Sequence, residues 1–283
     1  MSTPASPLTA LLFTPGSRLD RLPKAVASGA DGVIVDLEDS VAVADKDRVR
    51  SEVVAYFKAN GRVPADRPFN TVIRLNNLRS QAGQRDLDAL NAAVIRPDLV
   101  MLAKVESAAE VQLAERKLPE GVRLICLIET VQGVRRCASI AEASLRMAAL
   151  AFGGLDLSAE TGGEPTWDAL LWPRTMVVHA CAAAGLLALD QPYIDFANPA
   201  GLEEECTRTR PLGFVGKLAI HPAQIDVIHR AYRPPAEQVA RARKIVAAYD
   251  AAGGNVANVD GQMIDVPIYR SALRVLQLVG QTS

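Results

Sequence analysis

Residues 124–133 read LICLIETVQG. Five of the first six side chains, Leu124, Ile125, Cys126, Leu127 and Ile128, are apolar, and the run stops at Glu129. A short continuous apolar run suits a strand covered on both faces, as in a parallel sheet wrapped by helices. An ionised carboxylate is almost never buried without a partner. Glu129 is therefore expected either to reach solvent at the strand tip or to meet positive charge there.

Seven similar runs flank this one. LTALLF (8–13), GVIVDLE (32–38), TVIRLN (71–76) and LVMLAKV (99–105) precede it; MAALAFG (147–153), GLLALD (185–190) and GKLAIH (216–221) follow. Between them lie Ala-rich, charge-dotted segments such as RDLDALNAAV and SAAEVQLAERKL, whose periodicity predicts amphipathic helices. Eight strand–helix alternations at roughly 30-residue spacing suit a (β/α)₈ TIM barrel. A doubly wound open sheet is the alternative, because periodicity does not show closure. The Rossmann G-x-G-x-x-G is absent: TPGSRLDR follows the first run.

Beyond the eighth run the texture changes to PAQIDVIHRAY, PAEQVARARKIVAAYDAAGG and VPIYRSALRVLQLV, which predict three helices. The expected organisation is a barrel over 1–222 and a C-terminal helical arm or lid over 223–283.

The bulk composition limits the partners. Thirty-one basic and 32 acidic side chains leave a formal charge of -1, no electrostatic footprint for nucleic acid or an anionic membrane. No stretch approaches 18 uninterrupted apolar residues. The N-terminus lacks a basic region and a long apolar core of the secretory kind. Cys126, Cys137, Cys181 and Cys206 form no C-x-x-C pair and suit free structural thiols. A cytoplasmic protein is expected.

In a TIM barrel the active site lies at the C-terminal ends of the strands. Alternation puts Glu129 on the face shared by Ile125 and Leu127, and pairs Arg74 with Asn76, Asp36 with Glu38, and Lys104 with Glu106. Asp156 follows the glycines of AFGG directly after the sixth run. Arg74, Glu129 and Asp156 thus share one rim, either as a mutually neutralised ion cluster or as a site. Two carboxylates with open positions suit Mg²⁺, whereas His and Cys are scarce at those ends, which argues against zinc. Among the histidines, His221 in AIHP is the site candidate; His179 reads as a helix residue and His229 as a helix-surface residue. No G-x-S-x-G elbow is present.

LLFTPGSRLDRLPKA, GVIVDLEDSVAVADKDRVR, VIRLNN, LIET, FGGLDL, KLAIHPAQI and DGQMIDVP, in that order, resemble the citrate lyase β-subunit-like family. This family belongs to the HpcH/HpaI aldolase/citrate lyase superfamily. The resemblance covers about residues 8–279 and implies a TIM barrel with Mg²⁺-dependent, reversible C–C cleavage. The substrate would be a 3-hydroxyacyl thioester such as citryl-, malyl- or citramalyl-CoA, and the products a 2-oxo acid and acetyl-CoA.

By the same resemblance Glu129 and Asp156 are the Mg²⁺ ligands, and Arg74 holds the oxo-acid carboxylate. Asp265 is a catalytic acid/base on the C-terminal segment, supplied in a homotrimer to a neighbouring subunit. Arg18 in PGSR lies near the substrate, and Glu38 and Asp39 in DLED lie near the centre. The resemblance departs at Ala103-Lys104, where the family has Pro-Lys, and along LSAETGGEPTW; both departures bear on which acid is bound. Asp265, just before VPIYRSAL, is also well placed to cap a helix. An acyl-CoA thioesterase using the same site, and a non-catalytic subunit of a lyase complex, are the alternatives.

Overall fold

The computed structural model describes residues 8–279. The first seven residues of the expected barrel span, with the start of the N-terminal segment read for a secretory signal, lie outside the described residues, as do 280–283 of the expected arm. Eight parallel strands form the sheet: β1 (Ala10–Pro15), β2 (Gly32–Asp36), β3 (Asn70–Leu75), β4 (Leu99–Leu102), β5 (Arg123–Ile128), β6 (Met147–Phe152), β7 (Leu187–Asp190) and β8 (Gly216–Ala219). β1 pairs with β8 as well as with β2, through Ala10↔Lys217, Leu11↔Leu218 and Leu12↔Ala219. That pairing decides between the two expected architectures: the sheet is a closed barrel, not an open doubly wound one.

The connections carry α1 (Leu22–Ala27), α2 (Lys46–Asn60), α3 (Gln81–Ala92), α4 (Ala108–Lys117), α5 (Val131–Arg135), α6 (Cys137–Ala141), α7 (Gly154–Thr161), α8 (Trp167–Ala184) and α9 (Pro199–Thr209). Their starts are set by local chemistry: Ser80, Thr130, Thr166 and Asn198 each accept a backbone N–H from three residues ahead. Thr130 matters most here, because its cap starts α5 immediately after Glu129, the residue that follows β5. Inside the barrel, Leu11, Ile34, Val72, Met101, Ile125 and Leu218 belong to one buried cluster. These are the inward positions that strand alternation predicts, so Arg74, Glu129 and their neighbours follow on the same inner face.

β7 and β8 are joined from outside the barrel by a buried ion cluster. Asp190 receives Arg174 Nε at 3.0 Å and also binds Lys217 Nζ; Lys217 binds Glu205 as well. Asp190 and Lys217 are fully buried. Burial opposes ionisation of Asp190, but the charges of Lys217 and Arg174 prevail and hold its carboxyl below the ordinary range.

Two compact units divide between His229 and Arg230, inside α10 (Ile225–Tyr232), rather than after residue 222. The second unit contains α11 (Ala236–Ala251), β9 (Ala257–Val259), β10 (Gln262–Ile264) and α12 (Val266–Leu278). The three expected helices are present, and the stretch GGNVANVDGQMID between α11 and α12 forms an antiparallel hairpin. Its turn is Asp260-Gly261, both at positive φ (53° and 83°), the backbone that a two-residue hairpin turn requires. Ile245, Tyr249, Ile264, Ala272 and Leu276 form this unit's own core, with Tyr249 stacked on Tyr269 at 4.4 Å between ring centroids.

All four cysteines are free and buried. Among the described residues, no helix is long and apolar enough to cross a membrane.

Candidate active site

At the C-terminal ends of the strands lies a cavity of about 460 Å³. Asp36, Asp39, Arg74, Glu129 and Asp156 line one side of it. Four of the expected site residues, Arg74, Glu129, Asp156 and Asp39, therefore face one space, with Glu38 directly behind.

Glu129 does not reach solvent; it is 3% exposed. Its Oε1 accepts the backbone N–H of Lys104 at 2.9 Å. Gly153 leaves room for it: a Cβ on Gly153 would stand 2.6 Å from Glu129 Cβ and 2.8 Å from Oε2. Burial pushes the Glu129 carboxyl well above its ordinary range, with Glu38 and Asp156 adding repulsion that Lys104 and Arg74 only partly offset. Asp156 sits in the first turn of α7, with its side chain 41% exposed and Lys104 Nζ 3.4 Å away.

Arg74 projects from β3 as an inward residue and is gripped twice by Asp36, at 2.7 and 2.8 Å, forming a bidentate pair. Its Nη1 reaches Glu38 at 3.0 Å, and the guanidinium lies over the Phe13 ring at 4.7 Å. Burial works against the Arg74 charge, but Asp36, Glu38 and Glu129 more than compensate and hold it protonated. Burial likewise opposes the Asp36 charge, and Arg74 overcomes it, so Asp36 stays below the ordinary carboxylate range. Glu38, just past the end of β2, is pushed up to about 7, mainly by burial. Asp39 moves the other way: burial is outweighed by a hydrogen bond with Glu38 and by Arg74 and Lys104.

Lys104 departs from the sequence expectation. β4 ends at Leu102, and Lys104 has φ of 52°, a left-handed conformation that breaks the alternation pairing it with Glu106. Its backbone thereby meets Glu129, while its ammonium bonds Glu38 and lies 3.4 Å from Asp39. Glu106 instead pairs with Arg79 at 2.9 Å. Asn76 likewise leaves the rim, donating to Asp86 and to the Leu37 carbonyl. Nothing in the strand pattern signals the turn at Lys104; the Ala103-Lys104 dipeptide is its only trace.

The remaining expected residues lie elsewhere. Arg18 follows β1 at the same end of the barrel but is exposed, bound to Asp20 at 2.8 Å, and does not line the cavity. His221 caps a short 3₁₀ turn through Nδ1 and stacks on Phe196 at 4.9 Å between centroids. His179 is exposed on α8, and half-buried His229 contacts Asp31 at 3.1 Å. Asp265, in the second unit, caps α12 by accepting the Ile268 N–H at 3.2 Å. Gln191, which the sequence reading did not single out, lines the cavity and accepts the Gly154 N–H at 2.7 Å.

No group of three or more His, Cys, Asp or Glu side chains among the described residues forms a ready metal cage. The donor set is instead a pair of carboxylates opening on a cavity. That suits Mg²⁺, which takes one or two carboxylates and keeps water or substrate oxygens in its remaining positions. The buried Glu129 and the surplus of carboxylates over cations around it also favour a divalent cation there.

Residues 9–222 match the family described as HpcH/HpaI aldolase/citrate lyase, and residues 171–278 match C-C_Bond_Lyase of the TIM-Barrel fold. The chain is 34% identical to citrate lyase subunit beta of Escherichia coli K12, over 94% of this chain and 91% of that protein. It is 30% identical to human mitochondrial citramalyl-CoA lyase, over 96% and 85% of the two chains. Among solved structures it resembles CitE of Mycobacterium tuberculosis in complex with magnesium, acetoacetate and coenzyme A. The TM-score is 0.79, with 35% identity over 96% of this chain and 98% of that one. A closed barrel with its charged rim at the strand C-termini, and similarity running along nearly the whole chain, place this protein in the HpcH/HpaI aldolase/citrate lyase family as a carbon–carbon lyase.

Proposed function

We propose that the protein is a Mg²⁺-dependent lyase that cleaves or forms a 3-hydroxyacyl-CoA, with acetyl-CoA and a 2-oxo acid as the two halves. The observation that carries this reading is Glu129: a buried carboxylate aimed into the same cavity as Asp156 and Arg74. The relatives support it, since one is named a citramalyl-CoA lyase and the CitE complex contains magnesium and coenzyme A.

Glu129 and Asp156 would hold the ion, which supplies Lewis-acid polarisation of the oxygen on the oxo-acid carbon. Arg74 binds the acid's carboxylate by parallel N–H donation, supplementing its bonds to Asp36. In the cleavage direction the C3 hydroxyl proton passes to water as the C2–C3 bond breaks, its electron pair going to the acetyl half. That half departs as a thioester enolate and takes a proton at carbon. Asp265 is the acid/base for this last transfer, supplied by a neighbouring subunit of a homotrimer; its support is the DGQMIDVP resemblance.

The test is product identification. With Mg²⁺ and a panel of 3-hydroxyacyl-CoA thioesters, the expected products are a 2-oxo acid and acetyl-CoA. Release of the free hydroxy acid and CoA instead would make the protein a thioesterase, and no turnover of any thioester would leave a non-catalytic subunit.

A further inference from the structure

The cavity is two-sided. Its charged side chains come from the ends of β2, β3, β5 and β6. Phe13 and Pro15 of β1 lie on that charged side, Phe13 under the Arg74 guanidinium and Pro15 paired with Asp36. The opposite wall, from β7 and β8, contributes Pro192, Ile194, Leu218 and Ile220. Gln191 is the one polar side chain on that wall, and it carries no charge. Its Oε1 is taken by the Gly154 N–H, and its amide NH₂ makes no hydrogen bond among the described residues.

Cations are confined to the other side and are already engaged. Among the described residues Arg74 is the only cation lining the cavity, held through two bonds by Asp36. Lys104, close by, lies among Glu38, Asp39 and Asp156. An acid with one carboxylate can use Arg74 and the metal ligands' side of the cavity. A second carboxylate would face either the apolar wall, where it has no counter-charge, or the carboxylates Asp36 and Asp39, which repel it. A small alkyl group against Ile194, Leu218 and Ile220 instead gains from burial.

We infer that the acid half of the substrate is a monocarboxylic 2-oxo acid with a small apolar substituent, selected by the uncharged wall of β7 and β8. This rests on the lyase reading above and narrows it: the thioester cleaved is of the citramalyl-CoA kind rather than citryl-CoA.

The experiment is calorimetric binding of pyruvate, 2-oxobutyrate and freshly dissolved oxaloacetate to the Mg²⁺-loaded protein, paired with the same titrations on Ile220→Arg. Ile220 is 39% exposed and lies just past β8, so the barrel tolerates a longer side chain there; an unfolding curve verifies this. The two monocarboxylates are expected to bind the wild type at least about tenfold more tightly than oxaloacetate, the scale of one charged hydrogen bond. Ile220→Arg is expected to tighten oxaloacetate and narrow the gap. Oxaloacetate binding the wild type as tightly as pyruvate overturns the inference and leaves the lyase reading standing. So does an Ile220→Arg variant that folds but leaves all three affinities unchanged, because the wall then does not face the acid. Failure of all three acids to bind, together with no cleavage of any 3-hydroxyacyl-CoA, removes the lyase reading and this inference with it.

Discussion

The backbone amide of Lys104 donates to Oε1 of Glu129, so a residue in a left-handed conformation after β4 fixes the carboxylate at the end of β5. Any L-residue that can hold φ near 52° keeps this bond, whereas the ammonium at the end of the Lys104 side chain serves Glu38. Backbone and side chain of one residue therefore do separable things.

The first prediction follows from that geometry. In Glu129→Gln, the amide oxygen still accepts the Lys104 N–H and the shape is kept, so the fold should persist. One negative charge is lost, and Mg²⁺ affinity should fall by at least about tenfold, the lower end of what disturbing a metal site costs. Calorimetry with Mg²⁺ reads the affinity and a urea titration the fold; unchanged Mg²⁺ affinity removes Glu129 as a ligand.

Gly153→Ala provides a separate probe of the same carboxylate. The new Cβ would stand 2.6 Å from Glu129 Cβ, closer than such atoms approach, so Glu129 must shift. Mg²⁺ affinity and turnover should drop together although no ligand has been deleted. Wild-type values in both would show that the metal site tolerates movement of Glu129.

Arg74→Lys replaces a planar fork by a point charge. The oxo acid should lose about 1.5–3 kcal/mol of binding, the usual scale of a charged hydrogen bond. Titration of pyruvate into the Mg²⁺-loaded variant measures it. Equal affinity for wild type and variant would reduce Arg74 to a partner of Asp36.

Asp265 has a demonstrated local task, the cap of α12, and a proposed catalytic one. Asp265→Asn can still accept the Ile268 N–H, so α12 should stay intact while turnover collapses. Mixing Asp265→Asn with Glu129→Gln under conditions that exchange subunits should restore activity in trimers that combine one sound copy of each residue. Proven exchange without recovery places Asp265 in its own chain's site, and full activity of Asp265→Asn alone leaves only the cap.

The buried cluster behind β7 and β8 predicts a pH dependence of stability. Asp190 is held below its ordinary range by Lys217 and Arg174. Its contribution is therefore complete above the unfolded-state value of about 4 and is lost as pH falls through the lower folded value. Asp190→Asn leaves Lys217 buried with one counter-charge fewer and should cost about 3–5 kcal/mol at neutral pH. Below about pH 4 the gap between wild type and variant should shrink, as read by urea unfolding at several pH values.

The barrel, and the placement of Arg74, Glu129 and Asp156 around one cavity, were legible because they depend on period and position. Alternation on β3 and β5 set Arg74 and Glu129 facing inward, and the glycines after β6 announced the turn that carries Asp156. What the sequence concealed depends on single backbone angles and on approach between distant segments. The turn at Lys104 carries no glycine to signal it, and Gln191 acquires its place only because β6 and β7 are neighbours. The hairpin at Asp260-Gly261 is a different case: its turn dipeptide was visible, but three-residue strands between two helices are too short for alternation to show.

The two-sided cavity also separates what the protein does from what it does it to. Residues that hold charge arise between 36 and 156, whereas the uncharged wall of β7 and β8 comes from 191–220. Exchange of the later stretch changes the shape and polarity offered to the substrate while the charged machinery stays in place. A family built this way can diversify its diet by drift in one short stretch of the chain, with the reaction itself carried forward unaltered.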